Sequence, residues 1–182
     1  PLYPSHEHAW TQSDSLAIAY GFLDNHFNFF KPQLYNLLSK DGITGIDFPI
    51  NEYLVALLMK ILHTKNPVVF RIYTLIWMCI GYFFLFKIIE KYTRSLLFSF
   101  VGILFIYTIP VISYYQFGFI PSPIALSFLF IGIHFYIQYL EDKVNKKFVT
   151  AIVFFTLAAL IRTPFALYLF TLLGLHILTG LR

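Results

Sequence analysis

Pro67-Val68-Val69-Phe70-Arg71-Ile72-Tyr73-Thr74-Leu75-Ile76-Trp77-Met78-Cys79-Ile80-Gly81-Tyr82-Phe83-Phe84-Leu85-Phe86 is the run that decides the fold. A helix rises 1.5 Å per residue, so crossing the hydrocarbon of a bilayer takes about 20 apolar residues. This run is long enough, and only Arg71, near its start, interrupts it. Lys87, Glu90, Lys91 and Arg94 follow, and a second apolar run goes from Leu96 to about Tyr115. Pro110 lies inside that run and is expected to kink or end its helix, because proline has no N–H to donate. A third run, Ile120 to Leu140, opens with Pro121-Ser122-Pro123 and closes on the charged turn Glu141-Asp142-Lys143-Val144-Asn145-Lys146-Lys147. The last stretch, Phe148 to Leu178, is awkward for one span and short for two. An arginine at the middle of a bilayer costs roughly 2.5–3.5 kcal/mol. Two short spans turning at Arg162-Thr163-Pro164 avoid that cost and are the preferred reading.

The composition agrees with the runs. The 182 residues are 58% hydrophobic, 20% aromatic and 12% charged, with a mean hydropathy of +0.71. Soluble domains carry about a quarter charged residues, so this is a membrane protein by composition. The net charge of +4 is scattered at the ends of apolar runs, and no stretch reads as a nucleic-acid patch. The single cysteine, Cys79, excludes an intrachain disulfide. The start, Pro1-Leu2-Tyr3-Pro4-Ser5, carries no secretory signal pattern, and the chain stops in an apolar segment. It is expected to be a fragment of a longer protein, truncated at both ends.

Positive charge sets the expected orientation. Lys87, Lys91 and Arg94 mark one connection as cytoplasmic, and Lys143, Lys146 and Lys147 mark another two spans later. Residues 1–66, the connection Gln116–Pro123 and the Arg162–Pro164 turn then fall on the outer face. The expected architecture is an all-α polytopic membrane bundle: residues 67–182 form about five spans, and residues 1–66 form an outer loop with short interfacial helices. One such helix is expected to start at Asp14, capped by Ser13 or Gln12, with Leu16, Ala17, Ala19, Tyr20 and Leu23 apolar. A second runs from Glu52 to about His63. Both are too short and too polar to span.

The polar residues offer candidate chemistry. Asp14, at an expected helix start where the dipole favours the ionised form, suits a general base at the membrane surface; the ordinary alternative is an inert helix acid. Asp47, before Phe48-Pro49, is a second candidate carboxylate or a turn residue. His6 and His8 flank Glu7 and could ligate a metal, but no third ligand follows at a recognised spacing. Arg162, alone in an apolar stretch, suits a lipid phosphate or pyrophosphate with its forked donors, or else snorkels to the interface. His134 and His176 are expected to pack within apolar runs.

Four motifs in order carry a resemblance: Trp10, Gln12 and Asp14; Asn28-Phe29-Phe30-Lys31-Pro32; Asp47-Phe48-Pro49-Ile50-Asn51-Glu52-Tyr53-Leu54; and Leu160-Ile161-Arg162-Thr163-Pro164, with Arg where the family has Lys. Together they resemble the multispan glycosyltransferases of the C superfamily. The nearest types are protein O-mannosyltransferase, aminoarabinose transferase and galacturonosyltransferase-like enzymes. The resemblance implies a GT-C-like bundle in the cytoplasmic membrane with residues 1–66 outside. It also implies inverting sugar transfer from a polyprenyl-phosphate donor to a glycan, lipid or protein acceptor. It makes Asp14 a base or positioning acid, Asp47 a second site acid and Arg162 the donor-phosphate residue. Trp10, Gln12, Lys31 and Glu52 are candidates for the substrate loop. No cofactor is assigned, and a divalent metal is left open. Two departures stand out: Ser15 where a second acid often follows Asp14, and Ser122 where relatives carry Asp before Pro. The fragment alone is expected to be inactive. A transporter or flippase subunit and an inactive scaffold are the competing readings; the concentration of acids in the loop, with spans nearly free of them, favours the enzyme.

Overall fold

The computed structural model describes residues 3–4, 8–34, 42–43 and 48–180. His6, Glu7 and Asp47 lie outside the described residues, as does most of the turn-rich stretch 40–45. The chain is an all-α bundle, as expected. In chain order the helices are α1 (Ala9–Asp24), α2 (Ile50–Ile61), α3 (Val68–Thr93), α4 (Leu96–Tyr107), α5 (Pro110–Tyr115), α6 (Ser122–Asp142), α7 (Asn145–Ile161) and α8 (Ala166–Gly180), with a 3-10 turn at Thr163–Phe165 before α8.

The breaks follow local chemistry. Pro110 is the first residue of α5, so the second apolar run divides there, where a missing N–H is harmless. α3 continues past Lys87 to Thr93 and turns through Arg94 in the left-handed region (φ 52°). The Ser95 side chain then accepts from the Phe98 N–H and caps α4. α7 and α8 part at Arg162, which is extended (φ −144°). The carbonyl of Arg162 accepts from the Phe165 N–H at 2.9 Å, closing the tight turn.

α6 is the central helix and packs chiefly on α7 and α3. At the α3–α6 crossing, a Cβ on Gly81 would stand 2.8 Å from the Ser127 Cα, so only glycine permits this approach. Phe70, Phe119, Ile124, Ala125, Phe128, Ala158 and Ile161 form the buried core, which continues through Leu16, Ala19, Val55 and Met59 into α1 and α2. The outside is apolar as well. Ile72, Ile76 and Phe83 of α3, Leu97 and Phe105 of α4, and Leu167 and Phe170 of α8 are exposed. α3 and α6 are long and apolar enough to cross a membrane, and only 17% of the apolar window of α3 is buried. A soluble core helix would be mostly covered; these faces suit lipid.

α1 and α2 pack on each other at the end of the bundle where α3 and α6 begin and α7 ends. The loop after α1 is fastened to them by aromatic rings. Phe29 stacks on Phe22 (6.5 Å) and meets Phe48 (5.1 Å) and Tyr53 (5.3 Å) edge-on. The Tyr20 hydroxyl donates to the Lys65 carbonyl at 2.8 Å. Burial, with a smaller contribution from Tyr3, raises its pKa, so it remains a donor at neutral pH. α2 begins at Ile50, near its expected start. α1 begins earlier than expected. His8, left-handed at φ 54°, precedes it without a side-chain cap, and Asp14 sits more than a turn inside. Contrary to expectation, Asp14 does not enjoy the helix N-terminus, because that effect fades within the first turn.

Candidate functional site

A cleft of about 270 Å³ opens where α1 and α2 meet the ends of α6 and α7. One stripe of α1 supplies Thr11, Asp14, Ser15 and Ile18, residues three, four and seven apart and thus on one helical face. Phe48 comes from the segment just before α2 and Glu52 from its first turn, Pro121 from the residue before α6, and Ile161 and Arg162 from the end of α7. Three segments far apart in sequence thus bring two carboxylates and a guanidinium to one small cavity.

Each polar group has a reason for its place. Asp14 is held by the burial of its neighbours Ser15, Leu16 and Ile18 against α2 and the bundle. Glu52 is 5% exposed and lies in the first turn of α2, where a negative charge is favoured by the helix N-terminus. Ile161 is buried in the core, which anchors the extended Arg162 beside it. Pro121, Ile161, Ile18 and Phe48 form apolar walls that lower the dielectric around the charges and strengthen the interactions among them.

The other expected site residues fall elsewhere. Trp10 is 81% exposed at the start of α1, outside the cleft lining. Gln12 is buried, and its Oε1 accepts from the Phe119 N–H at 3.4 Å, which joins α1 to the segment before α6. Lys31 is exposed in the loop after α1. His8 stands against the Tyr115 ring, 5.8 Å between centroids. Among the described residues no group of three or more His, Cys, Asp or Glu is arranged to hold a metal ion. Ser122, the first residue of α6, lines a separate apolar cleft of about 140 Å³ with Met78, Ile112 and Phe165. His134 and His176 pack on aromatic rings, as expected from their apolar surroundings.

Thr11 and Ser15 were missed as cleft residues. Their signal was the spacing once the helix starts at Ala9: Thr11 lies one turn before Asp14 (i, i+3) and one turn before Ser15 (i, i+4). Ser15, the position where the resemblance leads one to expect a second acid, lines the cleft.

The sequence model of one protein family, described as dolichyl-phosphate-mannose-protein mannosyltransferase, matches residues 48–182. The match includes Glu52 and Arg162 and stops short of Asp14. No curated protein matches this chain, and no solved structure does.

Proposed function

Because the chain belongs to the dolichyl-phosphate-mannose-protein mannosyltransferase family, a family of membrane glycosyltransferases, we propose that its cleft transfers a sugar from a polyprenyl-phosphate donor to an acceptor, with inversion. The observation that carries this reading is the meeting of Asp14, Glu52 and Arg162 around one cavity. The Arg162 guanidinium holds the donor phosphate. Asp14 takes the proton from the acceptor hydroxyl or amine as its lone pair attacks the anomeric carbon. The bond from that carbon to the phosphate oxygen breaks, and polyprenyl phosphate leaves with its new negative charge against Arg162. Glu52, in the same lining, orients hydroxyl groups of the sugar or acceptor by accepting their hydrogen bonds. Asp47 adjoins Phe48, and the family resemblance assigns it a further acidic role. The protein lies in the cytoplasmic membrane with this cleft on the outer face, reached by a donor dissolved in the bilayer.

The test is sugar transfer by the full-length protein in membranes supplied with polyprenyl-phosphate sugars, wild type against Asp14→Asn at equal abundance. A general base contributes about 10²–10⁴-fold, so transfer by the variant should fall at least a hundredfold. Wild-type transfer by the variant would remove Asp14 from the reaction. No transfer by either protein across a broad donor panel would contradict the proposed activity.

A further inference from the structure

A second polar cleft, about 320 Å³, lies at the opposite end of α6, where α3 ends and α7 begins. It is lined by Lys91 of α3, by His134, Gln138 and Glu141 of α6, and by Lys147 of α7, with Ile88 and Ile137 as apolar walls. The glycosyl-transfer reading uses none of these residues. Along α6 the lining of the second cleft, His134 to Glu141, lies 13 to 20 residues beyond Pro121 of the first, so the two clefts stand about 20–30 Å apart at 1.5 Å per residue, within the hydrocarbon thickness. With α6 crossing the bilayer, the outer rim of each cleft, at Pro121 and at Glu141, lies toward the lipid headgroups on opposite sides.

Two ion pairs shape the cleft. Lys91 pairs with Glu141 and Lys147 with Asp142, so both lysines are held by carboxylates at the end of α6. In each pair the lysine side chain is the more covered as a whole: Lys91 is 30% exposed against 60% for Glu141, and Lys147 is 31% against 39% for Asp142. Deeper in, the Gln138 and His134 Nε2 atoms are 2.9 Å apart. The Gln138 amide carries a second N–H besides the one directed at His134. The wider surroundings are cationic: Lys87, Arg94, Lys143 and Lys146 join the two lysines, against Glu90, Glu141 and Asp142. A cavity lined by two lysines, an amide donor and two isoleucines matches a phosphodiester that carries acyl chains.

We propose that this cleft binds the phosphate of an anionic phospholipid, between Lys91 and Lys147, with the acyl chains lying along Ile88 and Ile137. Glu141 opposes the ligand's charge while it positions Lys91. Basic pockets between membrane helices bind anionic headgroups, and a lysine near an anionic membrane surface contributes about fivefold in affinity.

The experiment is lipid retention, measured by native mass spectrometry on the full-length protein taken from nanodiscs of phosphatidylcholine mixed with phosphatidylglycerol. Wild type should keep phosphatidylglycerol in preference to phosphatidylcholine. Lys91→Gln and Lys147→Gln should each lower that retention about fivefold, and Glu141→Gln should raise it. The last variant breaks the same ion pair as Lys91→Gln, so opposite responses separate lipid binding from loss of a structural contact. Glycerol phosphate added in solution should compete poorly. The proposal fails if there is no preference for phosphatidylglycerol, if the lysine variants retain it as wild type does, if Glu141→Gln lowers retention, or if glycerol phosphate displaces the lipid.

Discussion

Arg162 and Asp24 show how differently two charged residues act in one chain. Arg162 leaves the end of α7 in an extended conformation and lines the cleft with Asp14 and Glu52. Its replacement by alanine removes the charge proposed to receive the leaving phosphate, and sugar transfer should fall by about 10²-fold or more, as when an oxyanion donor is lost. Arg162→Lys keeps the charge and loses the fork, so the loss should be smaller; initial rates at saturating donor would show the order. Asp24, by contrast, pairs with Lys65 at 2.6 Å where both side chains are largely exposed, 41% and 63%. Exposed pairs contribute about 0–1 kcal/mol, so Asp24→Asn should leave thermal unfolding nearly unchanged. Arg162 was legible because an arginine in an apolar stretch needs a reason. Thr11 and Ser15 were not, since a hydroxyl in a helix carries no such demand. Trp10 and Lys31 were named by resemblance to a motif, which specifies residue types without giving their direction.

Among the helices, the close approach of α3 and α6 decides which glycines can be replaced. Alanine gains about 1 kcal/mol over glycine in a helix interior. At Gly81 the new methyl would stand 2.7 Å from the Ser127 Oγ and 2.8 Å from its Cα. Backbone cannot swing aside, and overpacking of this kind costs about 1–3 kcal/mol, so Gly81→Ala should lower the unfolding temperature. At Gly174 of α8 nothing lies within 4 Å of the added methyl, and Gly174→Ala should be neutral or stabilising. Thermal unfolding of both variants in the same detergent checks the contrast. The helix breaks at Pro110 and at Arg162-Thr163-Pro164 were legible in the sequence because proline removes a donor whatever the tertiary context. The start of α1 was not. Gln12 and Ser13 looked like caps, whereas the helix begins after an uncapped left-handed His8 and is held by burial of Leu16, Ile18, Ala19 and Phe22. Lys87 marked the end of an apolar run, yet α3 continues to Thr93, since a helix loses no hydrogen bonds on leaving the membrane.

The whole bundle has two polar ends joined by α3, α6 and α7, with apolar faces between them. If the proposed orientation holds, a cysteine replacing the exposed Trp10 should react with a membrane-impermeant maleimide added outside intact cells. One replacing Lys146 should react only after the membrane is opened. Cys79 is exposed on α3 and must first be changed to alanine. Labelling of both positions from the same side would refute the assignment of the ends. Sugar transfer in the cleft between α1, α2 and the end of α7 is the core of the proposal. Its most direct test is the rate of sugar transfer from a polyprenyl-phosphate donor for full-length Asp14→Asn, Glu52→Gln and Arg162→Ala, beside Asp24→Asn as a control outside the cleft. The three cleft variants should lose transfer while Asp24→Asn keeps it at equal abundance; cleft variants as active as the control would rule out sugar transfer at this site.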